Sequence, residues 1–137
     1  MVRGIPRKPK STGRATIGLV EYVDIRGTHG NRRVLAKIDT GASRTTVDTA
    51  LAAEVGLGPV VDAVKIRAPM GNGMETRPLV EATIRLSERA YDIPVGIVDR
   101  GDMRYQAIVG MDILGQGDFL IDVTRKAVED ETVPDEY

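Results

Sequence analysis

Apolar and polar residues alternate with a period of two over most of the chain, the spacing of strands that bury one face. From Ala15 to Ile25, Ile17, Leu19, Tyr22 and Val23 stand amid β-branched neighbours, and Gly27-Thr28-His29-Gly30-Asn31 follows as a turn. Arg33 to Thr40 reads as the next strand, and the Gly- and Asn-bearing connection makes an antiparallel hairpin the simplest pairing. Thr45-Thr46-Val47 predicts a short strand. Val60 to Ala68 and Glu75 to Leu86 alternate on either side of Pro69-Met70-Gly71-Asn72-Gly73-Met74, which predicts a long hairpin with a glycine-rich tip. Tyr91 to Val98, Gln106 to Val109 and Phe119 to Val123 supply the remaining strands, with a turn at Arg100-Gly101-Asp102.

One stretch breaks this period. Asp48 can cap a helix over Thr49 to Val55, which Gly56 and Gly58 end before Pro59. Met111 to Leu114 predicts a single helical turn closed by Gly115 and Gly117. Seven or so short strands with frequent turns and one short helix predict a mainly β domain, a partly closed barrel. A chain of 137 residues holds one such domain, so any two-fold symmetry has to come from a second chain.

Composition narrows the chemistry. With no Cys and the single His29, thiol nucleophiles, thiolate metal sites and sites built on His pairs are excluded, and His29 reads as a solvated turn residue. No metal and no cofactor is expected. Charge is nearly balanced at -1, yet the basic groups Arg3, Arg7, Lys8, Lys10 and Arg14 gather in residues 1–14, and residues 126–137 are acidic. These blocks read as a basic flexible arm and an acidic flexible tail around a domain at 15–125. The arm carries no aromatic residue to stack on a base, so no nucleic-acid partner is expected. No apolar run suits a signal peptide or a membrane span, which gives a cytoplasmic expectation with no membrane partner.

The chemically informative stretch is Leu35-Ala36-Lys37-Ile38-Asp39-Thr40-Gly41-Ala42-Ser43. A strand delivers a carboxylate at its end, then a hydroxyl, then a glycine that allows a sharp turn and close backbone approach. By itself Asp-Thr-Gly is a turn. It acquires meaning from Ala107-Ile108-Val109-Gly110-Met111-Asp112-Ile113-Leu114, an apolar strand ending in glycine about 70 residues later, with the glycine-tipped hairpin in between.

This order resembles the retropepsins, the single-domain aspartic proteases of retroviruses and their cellular relatives, over about residues 15 to 125. It is most similar to a prokaryotic retropepsin-like family that carries the label ATP-dependent zinc protease and occurs beside glutamate ligases. The resemblance lies in Lys37-Ile38-Asp39-Thr40-Gly41-Ala42, Tyr91-Asp92-Ile93-Pro94-Val95, Val98-Asp99-Arg100-Gly101-Asp102-Met103-Arg104 and Val109-Gly110-Met111-Asp112-Ile113-Leu114. In that family Arg, Thr and Ser follow the motif, whereas here Ser43 precedes Arg44-Thr45-Thr46.

The resemblance implies a retropepsin-like barrel and a homodimer in which Asp39 of each chain forms a catalytic dyad around one water. Thr40 would hydrogen-bond across the dimer axis and Gly41 would permit the tight backbone. Ala42 would line the substrate site, and Met70, Gly71, Asn72 and Gly73 would form a flap over a peptide substrate. Arg44, Arg77 and Arg104 are candidates for binding substrate carboxylates, which suits acidic or polyglutamate peptides. The expected function is that of an aspartic endopeptidase. The alternative is a non-catalytic barrel of the same fold that dimerises or binds an acidic partner, with Arg44 holding both carboxylates ionised.

Overall fold

The computed structural model describes residues 14–67, 73–100 and 104–125. The charged terminal blocks, Met70-Gly71-Asn72 of the expected flap tip and Asp102-Met103 lie outside the described residues. In chain order the elements are β1 (Ala15–Ile17), β2 (Val20–Gly27), β3 (Gly30–Ile38), β4 (Thr46–Asp48), α1 (Thr49–Val55), β5 (Val60–Arg67), β6 (Met74–Leu86), β7 (Arg89–Val98), β8 (Ala107–Val109), α2 (Met111–Leu114) and β9 (Phe119–Ile121).

Six strands close a barrel in the order β2-β3-β8-β4-β7-β6, and β6 returns to β2 through Ile25↔Ile84 and its neighbours. This is the mainly β barrel expected of the sequence, with one short helix and a helical turn. β5 hangs from the outer edge of β6, paired from Val60↔Val80 to Arg67↔Met74. The β2–β3 hairpin forms in the register Val20↔Lys37 to Gly27↔Gly30.

Alternation places the core. Val23 and Ile25 of β2, Val34, Ala36 and Ile38 of β3, and Val80, Ala82, Ile84 and Leu86 of β6 point inward and are buried. α1 closes one mouth with Leu51, Ala52 and Val55. Burying each such aliphatic side chain stabilises the fold by about 1.5–3 kcal/mol. The helix starts where Asp48 accepts hydrogen bonds from the Ala50 and Leu51 N–H groups, and it stops at Gly56, whose φ of 75° is left-handed. The β6–β7 turn is equally tight, with Ser87 and Glu88 at φ 54° and 67° in the manner of a type I′ hairpin.

The expected strand from Ala15 to Ile25 is broken at Gly18 and Leu19. Gly18 donates its N–H to Glu21 Oε2 at 2.7 Å, and a Cβ there would lie 2.5 Å from the Arg125 carbonyl oxygen. β1 therefore leaves the barrel and pairs in parallel with β9, from Ala15↔Phe119 to Ile17↔Ile121. Among the described residues no helix is long and apolar enough to cross a membrane.

Candidate active site

β3 ends at Ile38, and the backbone continues its ladder with β8 for one more step, Asp39 N–H donating to the Val109 carbonyl at 3.0 Å. The chain then turns out of the sheet. Asp39 Oδ1 accepts the Gly41 N–H at 2.9 Å and its carbonyl accepts the Ala42 N–H at 3.1 Å, so the carboxylate is oriented by its own loop. A Cβ on Gly41 would lie 3.3 Å from that same Oδ1, a contact tight enough to account for glycine. Asp39 is half-buried, while Thr40 and Gly41 are exposed.

The loop is locked from the other side by β8 and α2. β8 runs between β3 and β4, parallel to the first and antiparallel to the second, so the 39–45 connection passes over its end. Gly110 fits beneath: a Cβ there would stand 2.8 Å from the Ala42 oxygen and the Arg44 carbonyl carbon. The Met111 N–H donates to the Ala42 carbonyl at 2.8 Å, and the Gly110 N–H donates to Thr45 Oγ1 at 3.1 Å. Thr45, 1% exposed, in turn gives its hydroxyl and backbone protons to Asp112. The apolar-apolar-glycine element thus packs behind the Asp39 loop.

Beside this loop lies a cavity of about 440 Å³. Ala42, Ser43 and Arg44 form one wall, Lys65 and Arg77 come from the β5–β6 hairpin, and Arg100 closes the end of β7. Apolar side chains such as Val98 and Ile108 complete it. Among the described residues, four cations and no carboxylate line this space. Arg77 Nε has Glu75 Oε2 at 3.5 Å. Burial lowers the proton affinity of the Arg100 guanidinium, Asp48 raises it, Arg77 lowers it and Asp39 raises it again, in decreasing order of effect.

Of the residues singled out in the sequence, Asp39, Thr40, Gly41, Ala42 and Arg44 share the loop, and Arg44 and Arg77 face the same cavity. Gly73 is exposed at the start of β6 with φ 85°. Arg104 stands apart from the cavity lining, its guanidinium 5.6 Å from the centroid of the Tyr105 ring. Lys65 and Arg100 were not anticipated. Alternation along β5 could have flagged Lys65 between Val64 and Ile66, but nothing local distinguishes Arg100 from any arginine after a strand.

Among the described residues the donor set does not fit zinc. His29 is exposed in the β2–β3 turn, where its ring packs against Gly56, and no group of three or more metal-ligating side chains gathers among the described residues.

Residues 23–113 match the family model described as aspartyl protease. No curated protein matches the chain. Among solved structures, the EIAV protease in complex with the inhibitor HBY-793 superposes with a TM-score of 0.57 at 21% identity, over 76% of this chain and 91% of that one. A Legionella pneumophila protein of unknown function superposes with a TM-score of 0.56 at 19% identity, over 83% of this chain and 97% of that one. At these identities the likeness is one of fold, and that fold is the retropepsin-like barrel.

Proposed function

The chain belongs to the aspartyl protease family, and from that membership we propose that it is an aspartic endopeptidase whose dyad is completed by a second copy. The observation that carries this reading is the half-buried Asp39, oriented by Gly41 at the end of a barrel strand beside an open cleft, with Thr40 and Gly41 exposed next to it. One chain supplies one such carboxylate. Two apolar residues, Leu19 and Met111, are 45% and 42% exposed, and each lies one backbone hydrogen bond from the catalytic strand or loop. Apolar surface placed there suits a partner that covers it.

In the proposed dimer two Asp39 carboxylates share one proton, because like charges at contact distance cannot both ionise. The ionised carboxylate takes a proton from a bound water, whose oxygen attacks the peptide carbonyl carbon. The protonated carboxyl gives its proton to the carbonyl oxygen. Collapse of the tetrahedral intermediate breaks the C–N bond, and the amine leaves with a proton returned through the dyad. Thr40 holds the two loops together across the axis, and residues 70–73 close over the peptide. Arg44 and Arg77, which line the cavity, and Arg104 favour acidic peptides. We place the protein in the cytoplasm, with residues 15–125 as its retropepsin-like domain.

Turnover of a peptide library by wild type and Asp39→Asn tests the proposal. Loss of at least about a thousandfold is expected, with activity indifferent to chelator and ATP. Equal turnover would refute it. The four-cation cavity also suits a non-catalytic barrel that binds an acidic partner. That reading predicts acidic-peptide binding with no Asp39-dependent hydrolysis.

A further inference from the structure

The cavity cations differ in how they are held. Arg44, Lys65 and Arg77 reach it from a loop and from the hairpin of β5 and β6. Arg100 is tied at two points. Its backbone N–H donates to Asp48 Oδ1 at 2.6 Å, and its Nε donates to the Tyr105 carbonyl at 3.0 Å. The second bond fixes the guanidinium plane while the two Nη groups keep the geometry for a bidentate carboxylate.

Asp48 holds this arrangement through the backbone, without an ion pair to the guanidinium. It is 1% exposed, and both its oxygens are occupied by backbone donors: Oδ2 by Ala50 and Leu51, Oδ1 by Arg100. None of the ion pairs among the described residues involves Arg100. Arg100 thus lines the cavity with no close carboxylate partner among the described residues. Three further cations make the space unfavourable for a basic side chain and favourable for an anion.

We propose that Arg100 is a specificity-determining residue that takes the carboxylate side chain of a peptide substrate, and that Asp48 is its positioning residue. The inference rests on the proteolytic reading for the identity of its ligand as a substrate, but the recognition itself requires no turnover. It assigns the acidic preference to a preorganised cation on the β7 side of the cleft, where the sequence had pointed only to Arg44, Arg77 and Arg104.

The test is calorimetric binding of acidic peptides to the full chain, each peptide having one Glu replaced in turn by Gln. One position is expected at which Gln weakens binding to wild type by about 10- to 100-fold. Arg100→Ala should reduce that penalty to less than about twofold, and Arg100→Lys should restore part of it by returning the charge without the fork. Retention of the wild-type amide NMR spectrum shows that each variant is folded. If no position distinguishes Glu from Gln, or if Arg100→Ala keeps the penalty, the proposal is overturned. Asp48→Asn retains one oxygen to cap α1 but lacks the second acceptor that holds Arg100. It should reduce the Glu-over-Gln ratio severalfold, whereas a purely structural Asp48 would weaken both peptides alike and would contradict the positioning role. Glu-specific binding through Arg100 without Asp39-dependent cleavage would overturn the protease reading and leave this one standing.

Discussion

Thr45 donates its hydroxyl proton to Asp112 Oδ1 at 2.7 Å and its backbone N–H to Asp112 Oδ2 at 2.9 Å, across 67 residues of sequence. The same hydroxyl oxygen accepts the Gly110 N–H. One buried side chain thereby joins the Asp39 loop, the end of β8 and the first turn of α2.

Thr45→Val keeps the shape and removes the hydroxyl, leaving an Asp112 oxygen and the Gly110 N–H without that partner. The expected loss is about 1.5–3 kcal/mol, as for a hydrogen bond to a charged group. Urea unfolding of the two proteins measures it, and a change under about 0.5 kcal/mol would show that the contact carries little.

Gly110→Ala acts on the same junction through volume. The new Cβ would stand 2.8 Å from the Ala42 carbonyl oxygen, and backbone on both sides must move to admit it. Displacing the Asp39 loop by a fraction of an ångström or more should lower kcat/KM by about 100-fold. Wild-type turnover in a folded Gly110→Ala protein would mean that this packing does not position the carboxylate.

Asp122 gives a pH-dependent prediction away from the cleft. The Thr124 hydroxyl, at 2.7 Å, and then the Thr124 N–H, at 2.9 Å, hold its carboxyl below the ordinary range. Because the folded value is depressed, the stabilisation is present above the unfolded value of about 3.9 and is lost as pH falls through the lower folded one. Thr124→Val should raise the Asp122 pKa towards that ordinary value in a carboxyl NMR titration. An unchanged titration would assign the shift to another cause.

These contacts mark what the sequence could and could not reveal. α1 was legible to its ends because its determinants are local: the Asp48 cap and the left-handed Gly56 directly flank the helix. The β2–β3 and β5–β6 hairpins were legible for the same reason, alternation plus a turn. The split at Gly18 was not, since its cause is the Arg125 carbonyl more than 100 residues away. Asp39 could be identified from its motif, but the Thr45–Asp112 bonds that brace its loop could not. Arg100 became visible only when barrel closure brought the end of β7 beside residues 42–44 and the hairpin of β5 and β6. Arg104, four residues on, has the same chemistry and packs against Tyr105 instead.

The central claim, that each Asp39 is half of a site, is tested most directly by refolding wild type and Asp39→Asn together and measuring peptide turnover. If two carboxylates are required, an equal mixture retains about a quarter of the activity of the same total amount of wild type, because only wild-type pairs are competent. Retained activity should follow the square of the wild-type fraction. Activity at about half, falling linearly with that fraction, would show that each chain acts alone and would contradict the account.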